Sequence, residues 1–348
     1  IYILLLVKTL VMLLNFMLIN MKKETISLLI LLLAIMLIPV DQTRSQPSWA
    51  PDTGEIRSRF VIIKLQNFQP AYSVRIPDEQ FYYLLEFKRL IEFIDVNNNN
   101  LIDDNDHQVA LGILCGTKPW DVIVEENDSY LIVKLTAVVN IIKKGMHGPP
   151  ITTHVTFINY MAKNDTNIGS YKLEGEKDIK IDIVIDSWPW SNQDSLLALE
   201  TILSPGESAK KDKMRFSHHT GMGLHKESIH EFKYKYDYSS FGMKYVVSED
   251  IIINKTRGRL KNIAYTSLDS EENKGQQILI IYPHFDGQLI HDPILGIFTV
   301  FEEKIGFYGF IGSILITTIS LVFASFIVLR VKRKISRPPS VNQLNHKN

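Results

Sequence analysis

Residues 179–186 read IKIDIVID, with Ile179, Ile181, Ile183 and Ile185 on one side and Lys180, Asp182 and Asp186 on the other; only Val184 breaks the rule. Successive strand side chains point to opposite faces, so such a segment offers one face to a core and one to water. The period of two recurs in RFVIIKL (59–65), WDVIVEE (120–126), SYLIVKLTAVVNII (129–142), THVTFINYM (153–161), EFKYKYDY (231–238), KYVVSEDIIIN (244–254) and QILIIYPHF (277–285). Gly, Pro, Asn and Asp break the runs, and almost no soluble helical period lies between them. The pattern predicts a mainly β chain whose antiparallel sheets fold as one or two β-sandwiches.

The alternating region, 47–304, is long for one small sandwich, so a boundary is expected. SPGESAKKDK (204–213) has Pro, Gly and charge but no apolar period, and reads as a linker between a β-rich part at 47–203 and a second at 214–304. KKGMHGPP (143–150) reads as a loop between strands.

Beyond this region the chain becomes apolar. Residues 307–329, FYGFIGSILITTISLVFASFIVL, are 23 residues without a charge. About 20 apolar residues at 1.5 Å each cross a hydrocarbon core of ~30 Å, and a helix satisfies its backbone there, so a transmembrane helix is expected. Arg330, Lys332, Arg333, Lys334 and Arg337 follow it. By the positive-inside rule 330–348 is a basic cytoplasmic tail and the preceding region is extracellular, the topology of a type I single-pass protein of the cell membrane. The tail's 19 residues are too few for a folded domain. At the front, Met21 opens a stretch with Lys22 and Lys23, an apolar run from Ile26 to Ile38, and then DQTRSQ. That layout is a signal peptide over 21–46, with 1–20 as mis-annotated upstream sequence. No A-x-A site precedes Gln46, so the alternative keeps the first 40 residues as one or two membrane helices.

DVNNNNLIDDND (95–106) is the sharpest chemical pattern. Read as a twelve-residue loop, it places Asp95, Asn97, Asn99, Asp103 and Asp106 at positions 1, 3, 5, 9 and 12, with the Leu101 carbonyl at position 7. Calcium takes six to eight oxygens, which alternate residues of a tight loop can supply. The loop resembles EF-hand loops and, more closely, dockerin-type loops that close on Asp. Asn100 stands where Gly makes the sharp turn, and Asp106 is shorter than the usual Glu. These departures imply weak binding of Ca²⁺, in the ~10⁻⁴ to 10⁻³ M range of extracellular modules. The preceding run, FYYLLEFKRLIEFI (81–94), fits either a helix or a strand. A strand through Tyr83, Leu85, Phe87, Ile91 and Phe93, with Glu86, Lys88 and Glu92 opposite, is preferred because YSVRIP (72–77) can pair with it. The alternative for the loop is an Asn/Asp-rich surface turn without an ion.

SHHTGMGLHKESIH carries His218, His219, His225 and His230, but HKESIH is not HExxH, and a solvated, Gly-broken loop is expected before a zinc site. Trp188 and Trp190 in DSWPWSN, with Trp120, are a candidate sugar platform or a cap over the core. Asp286-Gly287 is a hairpin signal between QILIIYPHF and Ile294–Val300. Cys115, the only cysteine, excludes an intrachain disulfide and reads as a small buried hydrophobe. Asn127, Asn164 and Asn254 head N-x-S/T sequons at expected strand ends or turns, which makes them glycosylation candidates.

IDVNNNNLID, IDIVIDSWPWSNQDSLLALET and IYPHFDGQLIHDP, followed by a C-terminal span, resemble a group of uncharacterised archaeal single-pass surface proteins. The resemblance implies the architecture and no activity. With 38 basic and 38 acidic residues the chain has no net charge to recruit nucleic acid. No G-x-S-x-G, Walker or Rossmann motif points to an enzyme. The expected function is a calcium-stabilised surface module for adhesion, recognition or envelope structure, partnered by the bilayer and by a surface protein or glycan. The alternatives are a carbohydrate-binding protein using Trp188 and Trp190, and a surface metal-dependent hydrolase using the histidines.

Overall fold

In the computed structural model the described residues run from 46 to 299, without 78, 80, 117, 146–147, 169–170, 207–213, 223–227, 238 and 270–273. The expected signal peptide, membrane span and tail lie outside them. Among the described residues no helix is long and apolar enough to cross a membrane.

The chain is mainly β and antiparallel. The first strands are β1 (Ser48–Ala50), β2 (Glu55–Arg57), β3 (Ile62–Leu65), β4 (Ala71–Arg75), β5 (Tyr83–Ile94), β6 (His107–Ile113) and β7 (Asp121–Glu126). The middle holds β8 (Tyr130–Lys143), β9 (Ile151–Ala162), β10 (Thr166–Ile168), β11 (Tyr171–Leu173), β12 (Asp178–Asp186) and β13 (Leu196–Pro205). The last group is β14 (Met214–Met222), β15 (Ser228–Tyr236), β16 (Phe241–Ser248), β17 (Asp250–Ile253), β18 (Thr256–Arg259), β19 (Asn262–Asp269), β20 (Lys274–Tyr282), β21 (Gln288–His291) and β22 (Ile294–Thr299).

Strand pairing runs β19–β20–β13–β5–β4–β3–β2–β1 in one wing and β7–β8–β9–β12–β22–β16–β15–β14 in the other. β6 bridges them, pairing the C-terminal half of β5 and the end of β8. β21 continues β22 along the C-terminal half of β12 and carries β17 and β18. The wings face each other through their apolar sides. Phe87 of β5 lies 5.0 Å from Phe157 of β9 and 6.2 Å from Tyr245 of β16, ring centre to ring centre. Ile179, Ile181, Ile183 and Ile185 are all fully buried in this core, as their alternation requires. Each contributes roughly 1.5–3 kcal/mol relative to an exposed position.

The expected division at 204–213 does not separate two cores. β20, after it, pairs with β13, before it, and β22 pairs with β12. One apolar cluster holds Leu85 and Phe157 together with Tyr245 and Ile280. Composition marked a surface connection, and long-range pairing, which composition does not report, made the two parts one.

Three local departures matter for the site. β5 is a strand paired with β4, as preferred, but its faces switch: Arg89 pairs with Glu200 and Phe87 with Thr201, so Lys88 is an extra residue. Such a β-bulge reverses the side-chain alternation beyond it. Tyr83, Leu85, Phe87 and then Leu90 join the main core, whereas Ile91 and Phe93 form a second cluster with Leu196, Ala198 and Ile281 on the opposite face. Glu92, expected beside Glu86 and Lys88, is instead fully buried. Asp286-Gly287 is not a hairpin turn, because β20 and β21 pair with different wings; Gly287, at φ 75°, turns the chain from one wing to the other. The histidine segment is not a Gly-broken loop: β14 and β15 form a paired hairpin with His218, His219 and His230 in its strands.

On the outer face, Asp178, Gly296 and Lys244 are register neighbours across β12, β22 and β16. Lys244 Nζ reaches over the glycine to Asp178 Oδ1 at 3.0 Å, and Glu174 N–H donates to Asp178 Oδ2 at 3.1 Å. Beside this pair, Tyr171 and Leu173 of β11 pack with Ile294 of β22.

Candidate functional site

Glu92 organises one end of the molecule. Turned inward by the bulge, its carboxylate accepts hydrogen bonds from Trp188 Nε1–H (3.1 Å), Ser191 N–H (2.6 Å), Ser191 Oγ–H (3.1 Å) and Asn192 N–H (3.3 Å). Buried charge persists when its lone pairs are filled by donors in this way. The segment 188–192 is thereby pinned over the end of β5. Trp188 is only 4% exposed and Trp120 7%, so both rings belong to the core and neither has a free face. Trp190 is half-buried. Its ring stacks on His284 (centroids 4.3 Å, 24°), and its Nε1–H donates to Phe285 O at 2.7 Å.

Trp190, Ser191, Val109, Lys143, Lys144 and Gly145 line an open groove of about 490 Å³. Lys143 Nζ donates to Trp190 O at 3.1 Å, which holds the floor of the groove to the β8–β9 connection. The groove is thus lined by Trp190 and by two lysines, of which Lys143 is tied to the Trp190 carbonyl.

The Asp95–Asp106 loop joins β5 to β6 beside this groove. Ile102 anchors it, packing against the second cluster of Ile91, Phe93 and Leu196. Asp95 accepts the N–H groups of Asn99 (3.2 Å) and Asn100 (2.8 Å), and Asp106 accepts those of Val96 (3.0 Å) and Asp103 (2.8 Å). Asn97 Nδ2 and Asn99 Nδ2 both donate to Asp103 Oδ2, at 2.9 and 2.8 Å. Asn98 and Asn100 sit at φ 56° and 54°, left-handed values that Asn tolerates better than most residues. The N–H of Asn105, with the Asn97 and Asn99 amides, holds the exposed Asp103 carboxyl below its ordinary pKa. Of the expected loop's side chains, those at positions 3, 5 and 9 are hydrogen-bonded to one another, and those at positions 1 and 12 bind backbone N–H groups of the loop. Among the described residues, no group of three or more His, Cys, Asp or Glu side chains is gathered as a metal site, so Asp95, Asp103 and Asp106 do not form one as the loop stands.

Comparison with protein-family models and with curated protein sequences finds no match to this chain.

At the free edge of the second wing, His218 Nε2 lies 3.1 Å from His230 Nδ1, and His230 Nε2 lies 3.2 Å from Glu249 Oε1. Arg259 Nη2 donates to Glu249 Oε2 at 2.9 Å. Burial, then the neighbouring His230 and His219, lowers the His218 pKa. His219 alternates to the other face of β14, and His225 lies outside the described residues. Cys115 is half-buried, its Sγ 3.1 Å from Phe87 O, and burial pushes its pKa up to about 12.

The sequons occupy turns between strands. Asn127 Oδ1 accepts the N–H groups of Ser129 (2.9 Å) and Tyr130 (2.8 Å), leaving that turn at the surface. Asn164 is exposed between β9 and β10. Asn254, at φ 48°, donates Nδ2 to Asp286 O and accepts Gln288 N–H at 2.9 Å, so its amide is built into the turn at Gly287.

Two features of this site were not read from the sequence. Glu92 falls on the other face from the one its alternation predicts, because a bulge leaves no composition signal; in the fold, four consecutive buried residues, Leu90–Phe93, mark it. The Lys143–Trp190 contact joins residues far apart in the chain, and nothing local announces it.

Proposed function

We propose that this chain is a membrane-anchored surface protein whose extracellular β-sandwich is stabilised by calcium and serves adhesion, recognition or envelope structure. The observation that supports the reading is the tight winding of the exposed Asp95–Asp106 loop: Asp95 and Asp106 each accept two of its backbone N–H groups, and Asp103 accepts the Asn97 and Asn99 amides. Each Asp95 and Asp106 carboxylate oxygen accepts one backbone N–H and keeps a further lone pair for a cation, whereas Asp103 Oδ2 is filled by the Asn97 and Asn99 amides. The Asn97 and Asn99 N–H groups stand against Asp103 Oδ2 where an ion would lie, and an ion there would displace them. The uncharged 307–329 segment and the basic residues after it support the anchor and the outside location. Calcium at a few times its Kd adds only about 1 kcal/mol through RT ln(1 + [L]/Kd). The test is thermal melting of the full chain with calcium and with chelator. A higher Tm at millimolar calcium, lost in Asp95→Asn, is expected; an unchanged Tm overturns the reading.

A second reading is favoured by the groove. Trp190, held by His284 and Phe285, and the paired Lys143 and Lys144 suit an acidic saccharide, with the sugar face on the indole and its anion on the ammonium groups. Trp188 takes no part in contact. Retention on an array of acidic glycans, abolished by Trp190→Ala and weakened by Lys144→Ala, is expected. Retention indifferent to Trp190 removes this reading and leaves the calcium reading untouched.

A further inference from the structure

We propose that His218 and His230 form a binding site for a divalent transition-metal ion of the zinc and copper class. The hairpin register pairs His230 with Thr220 and His218 with Phe232, so the two histidines are diagonal neighbours on one face. Their facing nitrogens, His218 Nε2 and His230 Nδ1, are 3.1 Å apart. An ion ~2.0–2.1 Å from each would subtend about 100° between them, within the range that zinc and copper accept from two imidazoles.

Proton placement supports the same use. His230 Nε2 faces the Glu249 carboxylate at 3.2 Å and is therefore the N–H of that ring, so Nδ1 carries the lone pair. His218 Nε2 then donates its N–H to that lone pair; on metal binding the His218 ring passes to its Nδ1–H tautomer, through exchange with water, so that Nε2 ligates as a neutral imidazole with no net loss of protons. Glu249 is itself held by Arg259 at 2.9 Å. A carboxylate behind a histidine fixes the tautomer and raises the basicity of the ligating nitrogen, as it does in many metal sites. His218 is also pre-oriented: its ring stacks on Phe232 (4.7 Å, 25°) and against Tyr265 of β19 (4.8 Å). Both histidines are only partly covered, so an ion can enter and water completes its coordination. The site is chemically separate from the Asp95–Asp106 loop, because imidazole selects borderline ions whereas calcium takes oxygen. The proposal does not rest on the calcium reading.

The experiment is titration of the untagged full chain with Zn²⁺ and with Cu²⁺, followed by equilibrium dialysis and, for Cu²⁺, the paramagnetic spectrum. Wild type should show an ion ligated by two imidazole nitrogens. His218→Phe keeps the ring stack and should lower the affinity at least tenfold. Glu249→Gln should lower it about tenfold, the usual effect of losing such a partner. His219→Ala, on the opposite face, should leave it unchanged. Should His218→Phe not fold, His230→Gln keeps an N–H for Glu249 while removing the ligand, and is expected to lose the ion equally. Affinity unchanged in the folded His218→Phe or His230→Gln protein overturns the site, as does a loss in His219→Ala matching that in His218→Phe.

Discussion

At the scale of single residues, Glu92 has the most to lose. Its carboxylate receives four N–H or O–H groups and nothing else, so every oxygen lone pair faces a donor. Glu92→Gln would turn an amide N–H toward the Trp188 indole or the Ser191 backbone, leaving donors opposed in a dry place. The expected cost is about 2–3 kcal/mol in urea denaturation, the penalty for unsatisfied buried polar groups. Stability within 0.5 kcal/mol of wild type would mean that segment 188–192 holds itself. The tryptophans show how far residue identity alone reaches. Trp-Pro-Trp at a strand end allowed a cap or a platform; the outcome depends on Glu92, which is 96 positions from Trp188. Only a contact at that distance decides which ring is drawn inside.

At the scale of elements, alternation made most strands legible because it is a local property of the pleat. IKIDIVID, SYLIVKLTAVVNII and THVTFINYM are β12, β8 and β9 almost residue for residue. The misread segments are those in which geometry is settled by a partner strand. The bulge at Lys88 exists because β13 and β5 slip past each other, and the histidine hairpin holds although Gly221 and Gly223 suggested a loop. In the row across β12, β22 and β16, the middle position must have no side chain. A Cβ on Gly296 would land on Asp178 Oδ1 and crowd Lys244 Cε. Gly296→Ala therefore separates a buried carboxylate from its ammonium, an arrangement whose loss costs ~3–5 kcal/mol. The measurement is again denaturant unfolding, with Gly258→Ala as control, since a Cβ there meets nothing nearer than 3.4 Å. Equal small effects in both variants would show that Lys244 does not need the gap.

At the scale of the whole molecule, two buried groups titrate in opposite senses through the same pH range. His291 is fully buried, its Nδ1 accepting the Tyr282 hydroxyl (2.9 Å) and its Nε2–H donating to Ser248 O (3.1 Å). Burial, with Lys180 nearby, pulls its pKa down from 6.5 to about 4. The unfolded chain therefore takes up this proton first, and the stability His291 contributes is present above pH ~6.5 and lost as pH falls toward 4, by roughly 3 kcal/mol. Asp178 runs the other way. Burial outweighs the attraction of Lys244 and raises its carboxyl to about 6 from 3.8, so the folded state takes this proton first and gains as pH falls through the same window. The neighbouring Lys180, Asp182 and Asp292 form their own ion cluster, common to wild type and variants. The two slopes nearly cancel in the wild type, and substitution separates them. Asp178→Asn should lose stability steadily from pH 6.5 to 4, whereas His291→Gln should gain it over the same range, both read as unfolding free energy in urea at each pH. Parallel curves for the two variants would show that neither group is buried as its hydrogen bonds require, and that acid acts on the exposed carboxylates instead.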